Sequence, residues 1–293
     1  MTHALFLGCT VPVRALNYEL IVRKVAQELG MELADVDDFL CCGYPIGAVS
    51  EDAAAAMAAR NLAVAGSRNL SIACLCSACS GFLSETKRKL EEDEALLGRV
   101  NELLSPLGLR YEGNVEVSHF VRLLLDEVGE EKIARAIRKP LDNVSVAVHY
   151  GCHYLRPRSH AKDAEDPENP GSLERLVRMT GARTVTYENF LGCCGGGILG
   201  IKEQAALGVA GRKLDAVAQA QADSMITICP FCSVMFEGNQ KKIEKIRETK
   251  YNLPVLYYPQ LLGLAMGLSP DDLGFKMNRI KADALLEKLE KPL

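Results

Sequence analysis

The sequence lacks the features that would place the protein in a membrane or on a nucleic acid. None of its apolar runs approaches the roughly 20 residues that are needed to span a bilayer. The formal net charge is only −4 at pH 7, which gives no electrostatic reason to expect binding to nucleic acid or to a membrane surface. The N-terminal segment has neither a basic region nor a long apolar core. We therefore expect no signal peptide and a cytoplasmic location.

Two familiar kinds of active site are also missing from the sequence. We find no arrangement of serine, histidine and aspartate that is typical of a hydrolase. The run Gly195-Gly196-Gly197 follows cysteines, whereas the glycines of a phosphate-binding loop join a strand to a helix. The sequence therefore does not favour triad hydrolysis or nucleotide binding.

Cysteine is the residue that the sequence has in unusual number. Structural disulfides need an oxidising compartment and are most common in small domains without a core. Neither condition fits a chain of 293 residues that is 48 % hydrophobic, and the odd count of 11 would leave one thiol unpaired. We therefore expect metal or cluster ligands among the thiols. The cysteines are Cys9, Cys41, Cys42, Cys74, Cys76, Cys79, Cys152, Cys193, Cys194, Cys229 and Cys232.

The cysteines also indicate a duplication. Short apolar strands alternate with helices along the chain, which predicts an α/β fold with parallel-rich sheets. One cysteine after a strand, an adjacent pair and then Cys-x-x-Cys follow one another twice, with gaps of 31 and 33 residues and then of 40 and 34 residues. Two tandem homologous domains related by a pseudo-two-fold duplication explain this order. We place them at residues 1–140 and 141–270, followed by a helical tail at residues 271–293 that packs either on a partner or on its own domain.

Five thiols in each half are predicted to meet at one place. Loops that follow parallel strands emerge at the same edge of a sheet, and Cys-x-x-Cys at a helix start favours thiolates and an anionic cluster. Structural zinc and cubane clusters each take four ligands. A fifth cysteine in both halves therefore suggests a non-standard iron–sulfur cluster with one cysteine bridging irons, the alternative being four ligands and one spectator. Cys74 aligns with Thr227, so we expect it to be a buried strand residue.

The histidines are weaker candidates for the site. His153 directly follows a proposed ligand, so it would donate a hydrogen bond to a cluster sulfur or a proton to a product thiolate, or simply pack in its loop. His149 is predicted to be a core residue of a strand, and His119 to face the sheet edge. His3 and His160 are expected on the surface.

These residues carry a resemblance to a known family. The repeated pattern C-x31–40-C-C-G-x32–33-C-x-x-C is similar to the cysteine-rich CCG domain. The segment His149-Tyr150-Gly151-Cys152-His153-Tyr154-Leu155-Arg156-Pro157, with Asp166-Pro167-Glu168 and Pro170 beyond it, resembles the B subunit of heterodisulfide reductase. Paired CCG motifs also occur in iron–sulfur subunits of glycolate and lactate oxidases and in some quinone-linked reductases. The segment around Cys152 and the lack of fused ferredoxin motifs favour the heterodisulfide reductase family, over about residues 3–265.

The resemblance implies two non-cubane [4Fe–4S] clusters that face each other and split the disulfide of coenzyme M and coenzyme B. In the mechanism that the paired five-cysteine motifs favour, His153 or water supplies the protons. It also implies electron delivery from a ferredoxin-like C subunit and, behind it, a flavin-containing A subunit. The implied ligands of the first cluster are Cys9, Cys41, Cys42, Cys76 and Cys79. Those of the second are Cys152, Cys193, Cys194, Cys229 and Cys232.

Other functions stay open at the level of the sequence. Gly43-Tyr44-Pro45 follows the first cysteine pair, where methanogen members of the family commonly have proline directly after the pair. Tyr44 would alter the pocket, so the substrate is either the coenzyme disulfide or an analogue. A different possibility is an electron-relay subunit that passes electrons to a quinone or a partner reductase. A third is one catalytic half and one half that binds structural zinc.

Overall fold

Two four-stranded sheets, one from each half of the sequence, organise the fold. The computed structural model describes residues 2–156 and 165–290. The strands are β1 (Thr2–Phe6), β2 (Glu32–Ala34), β3 (Ser71–Cys74), β4 (Val117–His119), β5 (Ser145–His149), β6 (Arg183–Thr184), β7 (Ser224–Thr227) and β8 (Val255–Tyr257). The strand orders are β2-β1-β3-β4 and β6-β5-β7-β8, and every pairing of these strands is parallel. The predicted duplicated α/β fold is confirmed.

Helices connect these strands and cover the sheets. In the first half they are α1 (Val11–Arg14), α2 (Leu16–Glu28), α3 (Glu51–Gly66), α4 (Ser77–Glu92), α5 (Glu94–Leu104), α6 (Phe120–Leu123) and α7 (Glu130–Ala136). In the second half they are α8 (Cys152–Leu155), α9 (Ser172–Met179), α10 (Glu203–Gln219), α11 (Pro230–Ser233), α12 (Gln240–Arg247), α13 (Tyr258–Ala265) and α14 (Asp283–Glu290). Side-chain caps explain some of the helix starts: the Ser50 hydroxyl accepts a hydrogen bond from the Ala53 N–H before α3. The Asp93 carboxylate accepts a hydrogen bond from the Leu96 N–H in the same way, so α5 begins as a helix separate from α4.

The strand register positions the segments that follow the strands. Phe6 pairs with Cys74 at the ends of β1 and β3. His149 pairs with Thr227 at the corresponding ends of β5 and β7. The carboxyl ends of neighbouring parallel strands therefore lie level, and the loops that follow them leave each sheet side by side.

The two halves share their hydrophobic core. One buried cluster joins α2 of the first half to β7, β8 and α13 of the second. In it the Tyr18 ring stacks on the Tyr257 ring with centroids 3.9 Å apart, and the Tyr18 hydroxyl donates to the Ile228 carbonyl over 3.2 Å. The halves are thus packed against each other through apolar side chains. The domain boundary at residue 140 stays a prediction.

Removing the Tyr18 ring should test this shared core. We expect Tyr18→Ala to lower the free energy of unfolding by about 3–5 kcal/mol, because a fully buried aromatic ring and its stacking contact are lost. Tyr18→Phe, the matched control, removes only the hydroxyl and should cost about 1 kcal/mol. Denaturant unfolding of both variants measures the difference. Equal costs for the two variants would contradict the role given to the ring.

The described part of the tail contacts its own chain, as one of the two alternatives left open by the sequence expects. Its α-helix begins at Asp283. Leu285 is 2 % exposed, and the Lys288 ammonium lies 2.8 Å from an Asp223 carboxylate oxygen next to β7. The described part of the tail therefore packs against the second half, beside the start of β7.

His3 corrects a prediction. It was expected on the surface, but it lies on β1 and is 2 % exposed. Its Nε2 is 2.8 Å from a Glu127 carboxylate oxygen. The reason is topological, since β1 is an interior strand between β2 and β3 and both of its faces are covered. His160 lies outside the described residues.

Candidate metal centres

The predicted ligands of each half lie in three segments at one edge of its sheet, each a loop or the first turn of the helix that follows it: Cys79, Cys152 and Cys232 are in the first turns of α4, α8 and α11. Cys9 follows β1, and Cys76 follows β3 as the residue that precedes α4. Cys152 follows β5, and Cys229 precedes α11 directly after β7. The adjacent pairs lie in the loops after β2 and β6. The structure thus brings the cysteine-bearing loops of each half together, as the spacing predicts.

Nine of these thiols form one continuous row in which each sulfur is close enough to the next to shift its pKa, and the row crosses from one half to the other. The crossing point is between Cys76 Sγ and Cys229 Sγ, which are 3.9 Å apart. Along the row the thiols are Cys41, Cys42, Cys79, Cys76, Cys229, Cys232, Cys194, Cys193 and Cys152. Cys9 is exposed and lies outside this row, with its sulfur 3.8 Å from the Thr10 hydroxyl. We call the crossing point, formed by Cys76 and Cys229, the seam.

The thiols polarise one another strongly. A hydrogen bond from Cys41 lowers the pKa of Cys42 to about 4, and one from Cys152 lowers the pKa of Cys193 to about 2. The hydrogen bond with Cys193 raises the pKa of Cys194 to about 12. In each half the pKa of at least one cysteine is thus lowered toward the thiolate, the form of cysteine that binds metal.

Glycines after the cysteine pairs allow the loops to close. Gly43 and Gly195 have φ values of +94° and +82°, which L side chains rarely adopt. A Cβ on Gly43 would lie 2.6 Å from the Ala54 carbonyl oxygen, and one on Gly195 would lie 2.8 Å from that of Ala206. In the second half the Gly195 N–H also donates to Cys193 Sγ over 3.3 Å. A glycine with positive φ after each cysteine pair thus lets both loops pass close to the neighbouring helix backbone.

The donor set fits iron–sulfur clusters. It consists of sulfur atoms, several of which are buried, and backbone N–H groups point at two of them. Iron–sulfur clusters are held by cysteine thiolates and are tuned by hydrogen bonds to their sulfurs. Cys74 is fully buried on β3, as predicted, and takes no place in the row.

His149 and Lys213 are site residues that the sequence analysis missed. His149 is a buried residue of β5, as predicted, but its Nε2 is 3.2 Å from Cys232 Sγ. One ligand atom from each of His149, Cys194 and Cys232 falls within a group spanning 4.8 Å. Lys213 Nζ is 3.3 Å from His149 Nδ1. Two features of the sequence could have identified these residues. One is a histidine in an apolar strand, and the other is a lysine on the apolar face of α10, between Ala210 and Leu214.

The other histidines near the site have different surroundings. His153 Nδ1 is 3.4 Å from Cys152 Sγ, and its ring meets the Tyr44 ring edge-on with centroids 4.6 Å apart. His119 is buried at the end of β4. Both of its ring nitrogens contact backbone groups, since Nδ1 accepts from the Val121 N–H and Nε2 lies 3.0 Å from the Ile228 carbonyl. His119 is therefore a helix cap beside the seam, whereas His153 lies next to a thiol.

Tyr44 lies between the two cysteine-pair loops. It lines a small cavity together with Cys9, Cys42 and Cys79 of its own half and Phe231 of the other. Its hydroxyl would be 3.8 Å from a Cβ on Gly197, in the loop of the second pair. Burial followed by the charges of the nearby thiols raises the pKa of Tyr44, so the hydroxyl stays protonated. Tyr44 therefore forms part of the wall between the two thiol sets.

The fold and the thiol row define a duplicated cysteine-rich protein with sulfur ligands for metal. The cysteine-rich domain family CCG matches residues 3–84 and 146–237. The chain is 34 % identical over 290 residues to the B subunit of the ferredoxin:CoB-CoM heterodisulfide reductase of Methanosarcina mazei, with 98 % of this chain and 96 % of that protein covered. The chain belongs to the family of heterodisulfide reductase B subunits, which have tandem cysteine-rich domains. It is accordingly an iron–sulfur protein of the oxidoreductase class.

Two further comparisons show that similar proteins include a subunit of another reductase and a larger protein of the same fold. The chain is also 34 % identical over 285 residues to the 8-methylmenaquinol:fumarate reductase membrane anchor subunit of Wolinella succinogenes, with 96 % of this chain and 98 % of that protein covered. A crystal structure of a hypothetical protein from Helicobacter pylori shares the fold, with a TM-score of 0.79 and 20 % identity. That comparison covers 96 % of this chain and 52 % of the other, so the chain spans about half of that protein. Each helix within residues 2–156 and 165–290 is too short or too polar to cross a membrane.

Proposed function

We propose that the two sets of thiols hold two non-cubane [4Fe–4S] clusters and that the protein reduces a disulfide between them. The observation that carries this proposal is the thiol row, in which both halves contribute corresponding cysteines that meet at the seam. The first cluster would be held by Cys9, Cys41, Cys42, Cys76 and Cys79, and the second by Cys152, Cys193, Cys194, Cys229 and Cys232. When bound, such clusters supply one-electron redox chemistry.

The polypeptide would position the disulfide and supply a proton. The substrate is a small-molecule disulfide, either that of coenzyme M and coenzyme B or an analogue, and it takes up two electrons and two protons to give two thiols. His153 is the proposed donor of one proton because its Nδ1 lies 3.4 Å from Cys152 Sγ at the edge of the second thiol set, and water would supply the other. Tyr44 packs on the His153 ring and would hold it in place while it narrows the space for the substrate.

The electrons would come from other proteins of a larger complex. The Methanosarcina mazei relative is named as the B subunit of its reductase, which indicates that proteins of this kind work with partners. We propose a ferredoxin-like C subunit as the direct electron donor, with a flavin-containing A subunit behind it, in the cytoplasm. A reducing compartment would keep the 11 free cysteines available for cluster assembly.

Iron content and spectroscopy of anaerobically purified protein test the proposal. We expect about eight irons per chain, because two four-iron clusters are proposed. An added disulfide should change the EPR signal of the protein during one-electron oxidation, because the substrate would reach a cluster. About four irons, or zinc in one half, would contradict the two-cluster assignment.

A second candidate function is electron relay without disulfide chemistry. It is favoured by the similarity to the Wolinella succinogenes protein, whose name describes a quinol:fumarate reductase rather than a disulfide reductase. The position of Tyr44 between the two cysteine-pair loops also leaves less room for a substrate there. Full iron content together with an EPR signal that no disulfide perturbs would support relay to a quinone or a partner reductase.

A further inference from the structure

Lys213 is a buried cation in the second half. Its side chain is completely buried on α10, and its ammonium donates to the Phe190 carbonyl over 2.8 Å. The ammonium also lies 5.6 Å from the centroid of the Tyr187 ring. Within the described ranges no carboxylate lies within ion-pair distance of it. Burying a cation without an anionic partner is costly, so a negative charge elsewhere is expected to balance it.

The hydrogen bonds around Lys213 have a defined direction. An ammonium group has donors only, so Lys213 Nζ donates to His149 Nδ1, 3.3 Å away. A neutral His149 that accepts at Nδ1 carries its proton on Nε2. That N–H therefore points at Cys232 Sγ, which is 3.2 Å away. A buried positive charge is thus connected through one imidazole to a sulfur of the second thiol set.

The first half has no such connection. The duplication places Phe6 where the second half has His149, and Asn61 where it has Lys213. A phenyl ring has no N–H for the equivalent sulfur, that of Cys79. The Asn61 amide donates to the backbone carbonyls of Cys41 and Met57, over 3.1 and 3.0 Å. It is neutral and its donors are used, so the two otherwise similar thiol sets have different electrostatic surroundings.

We propose that Lys213, acting through His149 as a pair of positioning residues, makes the second-half cluster the stronger electron acceptor of the two. Positive charge and an N–H···S hydrogen bond both stabilise the reduced, more negative state of an iron–sulfur cluster. The first electron that enters the protein would then reduce the second cluster. This inference rests on the proposed two-cluster function and gives the two clusters an order of reduction.

A redox titration followed by EPR tests the order. The variants are Lys213→Met, which removes the charge at similar length, and His149→Phe, which installs the first-half residue. In both we expect the higher of the two midpoint potentials to fall and the lower one to stay. The affinity of the second cluster for an electron should drop at least about tenfold, which is about 59 mV for a one-electron step. Lys245→Met, the same change at an exposed lysine on α12, is the matched control and should move neither potential.

Iron analysis of every variant separates the possible failures. Two potentials that stay unchanged in both variants, with full iron content, would overturn the proposed order and leave the two-cluster function intact. A shift of both potentials by the same amount would also overturn it, because the pair would then act on the whole protein. Wild-type protein with a single cluster would instead contradict the function itself. If one variant loses its iron, the other still decides the question.

Discussion

Serine in place of Cys194 should leave the protein with about half of its iron and abolish disulfide reduction. Cys194 is 5 % exposed and lies in the thiol row between Cys193 and Cys232. A serine hydroxyl stays protonated at neutral pH and is a poor ligand for iron, so the second cluster should be lost. Cys42→Ser should remove the other half of the iron for the same reason. Iron analysis and the absorbance of anaerobically purified protein measure both losses.

Cys74→Ser is the matched control for these variants. Cys74 is fully buried on β3 and takes no part in the row, so its replacement should keep the full iron content at some cost in stability. The same comparison decides between five ligands and four ligands with a spectator. If Cys194→Ser keeps all of the iron, Cys194 is the spectator and the second site is of the four-ligand type.

Alanine in place of Gly195 should destabilise the protein and loosen the second cluster. The positive φ of +82° is strained for alanine, and the new Cβ would lie 2.8 Å from the Ala206 carbonyl oxygen. We expect the free energy of unfolding to fall by about 2–4 kcal/mol, because strain and overlap add at one position. The loop that carries Cys193 and Cys194 would have to move, so iron should be lost faster to a chelator. Chemical denaturation and the rate of iron release measure the two effects.

Gly113→Ala separates the effect of backbone strain from the effect of the overlap with a neighbouring carbonyl oxygen. Gly113 also has a positive φ, of +87°, but nothing lies within 4 Å of its added Cβ. This variant should therefore show the cost of strain alone, about 1–2 kcal/mol, and release iron at the wild-type rate. If Gly195→Ala were no worse than Gly113→Ala in either measurement, the contact with the Ala206 carbonyl would not hold the loop in place.

Much of the architecture was predictable because parallel strands have a simple signature. Interior strands such as β1 and β5 are short apolar runs, and each is followed by a cysteine after a tight turn. Alignment of the two halves then places the cysteine loops at corresponding sheet edges. The fold class and the duplication follow from these local patterns. So does the gathering of cysteines within each half.

What the sequence left undetermined depends on packing between distant segments. The approach of Cys76 to Cys229 depends on how the two sheets face each other, and no local periodicity records that. His149 was predicted to be a core residue, which is correct for its burial, but its contacts with Cys232 and Lys213 come from three separate elements. His3 was expected on the surface because its side chain is polar, but it lies on an interior strand and is therefore buried. In the tail, which was expected to be helical, the α-helix begins only at Asp283, after a single 3-10 turn at Phe275–Met277.

The seam has a consequence for the origin of the chain. Cys76 and Cys229 occupy equivalent positions in the two halves, so the same surface of each half meets its own counterpart. Self-complementary contact of this kind is the property of an isologous dimer with two-fold symmetry. The arrangement is what fusion of two identical protomers would leave behind. In such a dimer of identical protomers the two centres would have been alike by symmetry, whereas the duplicated halves of one chain can differ, as Phe6 and His149 do. Covalent linkage thus permits a direction of electron flow that a symmetric pair would lack.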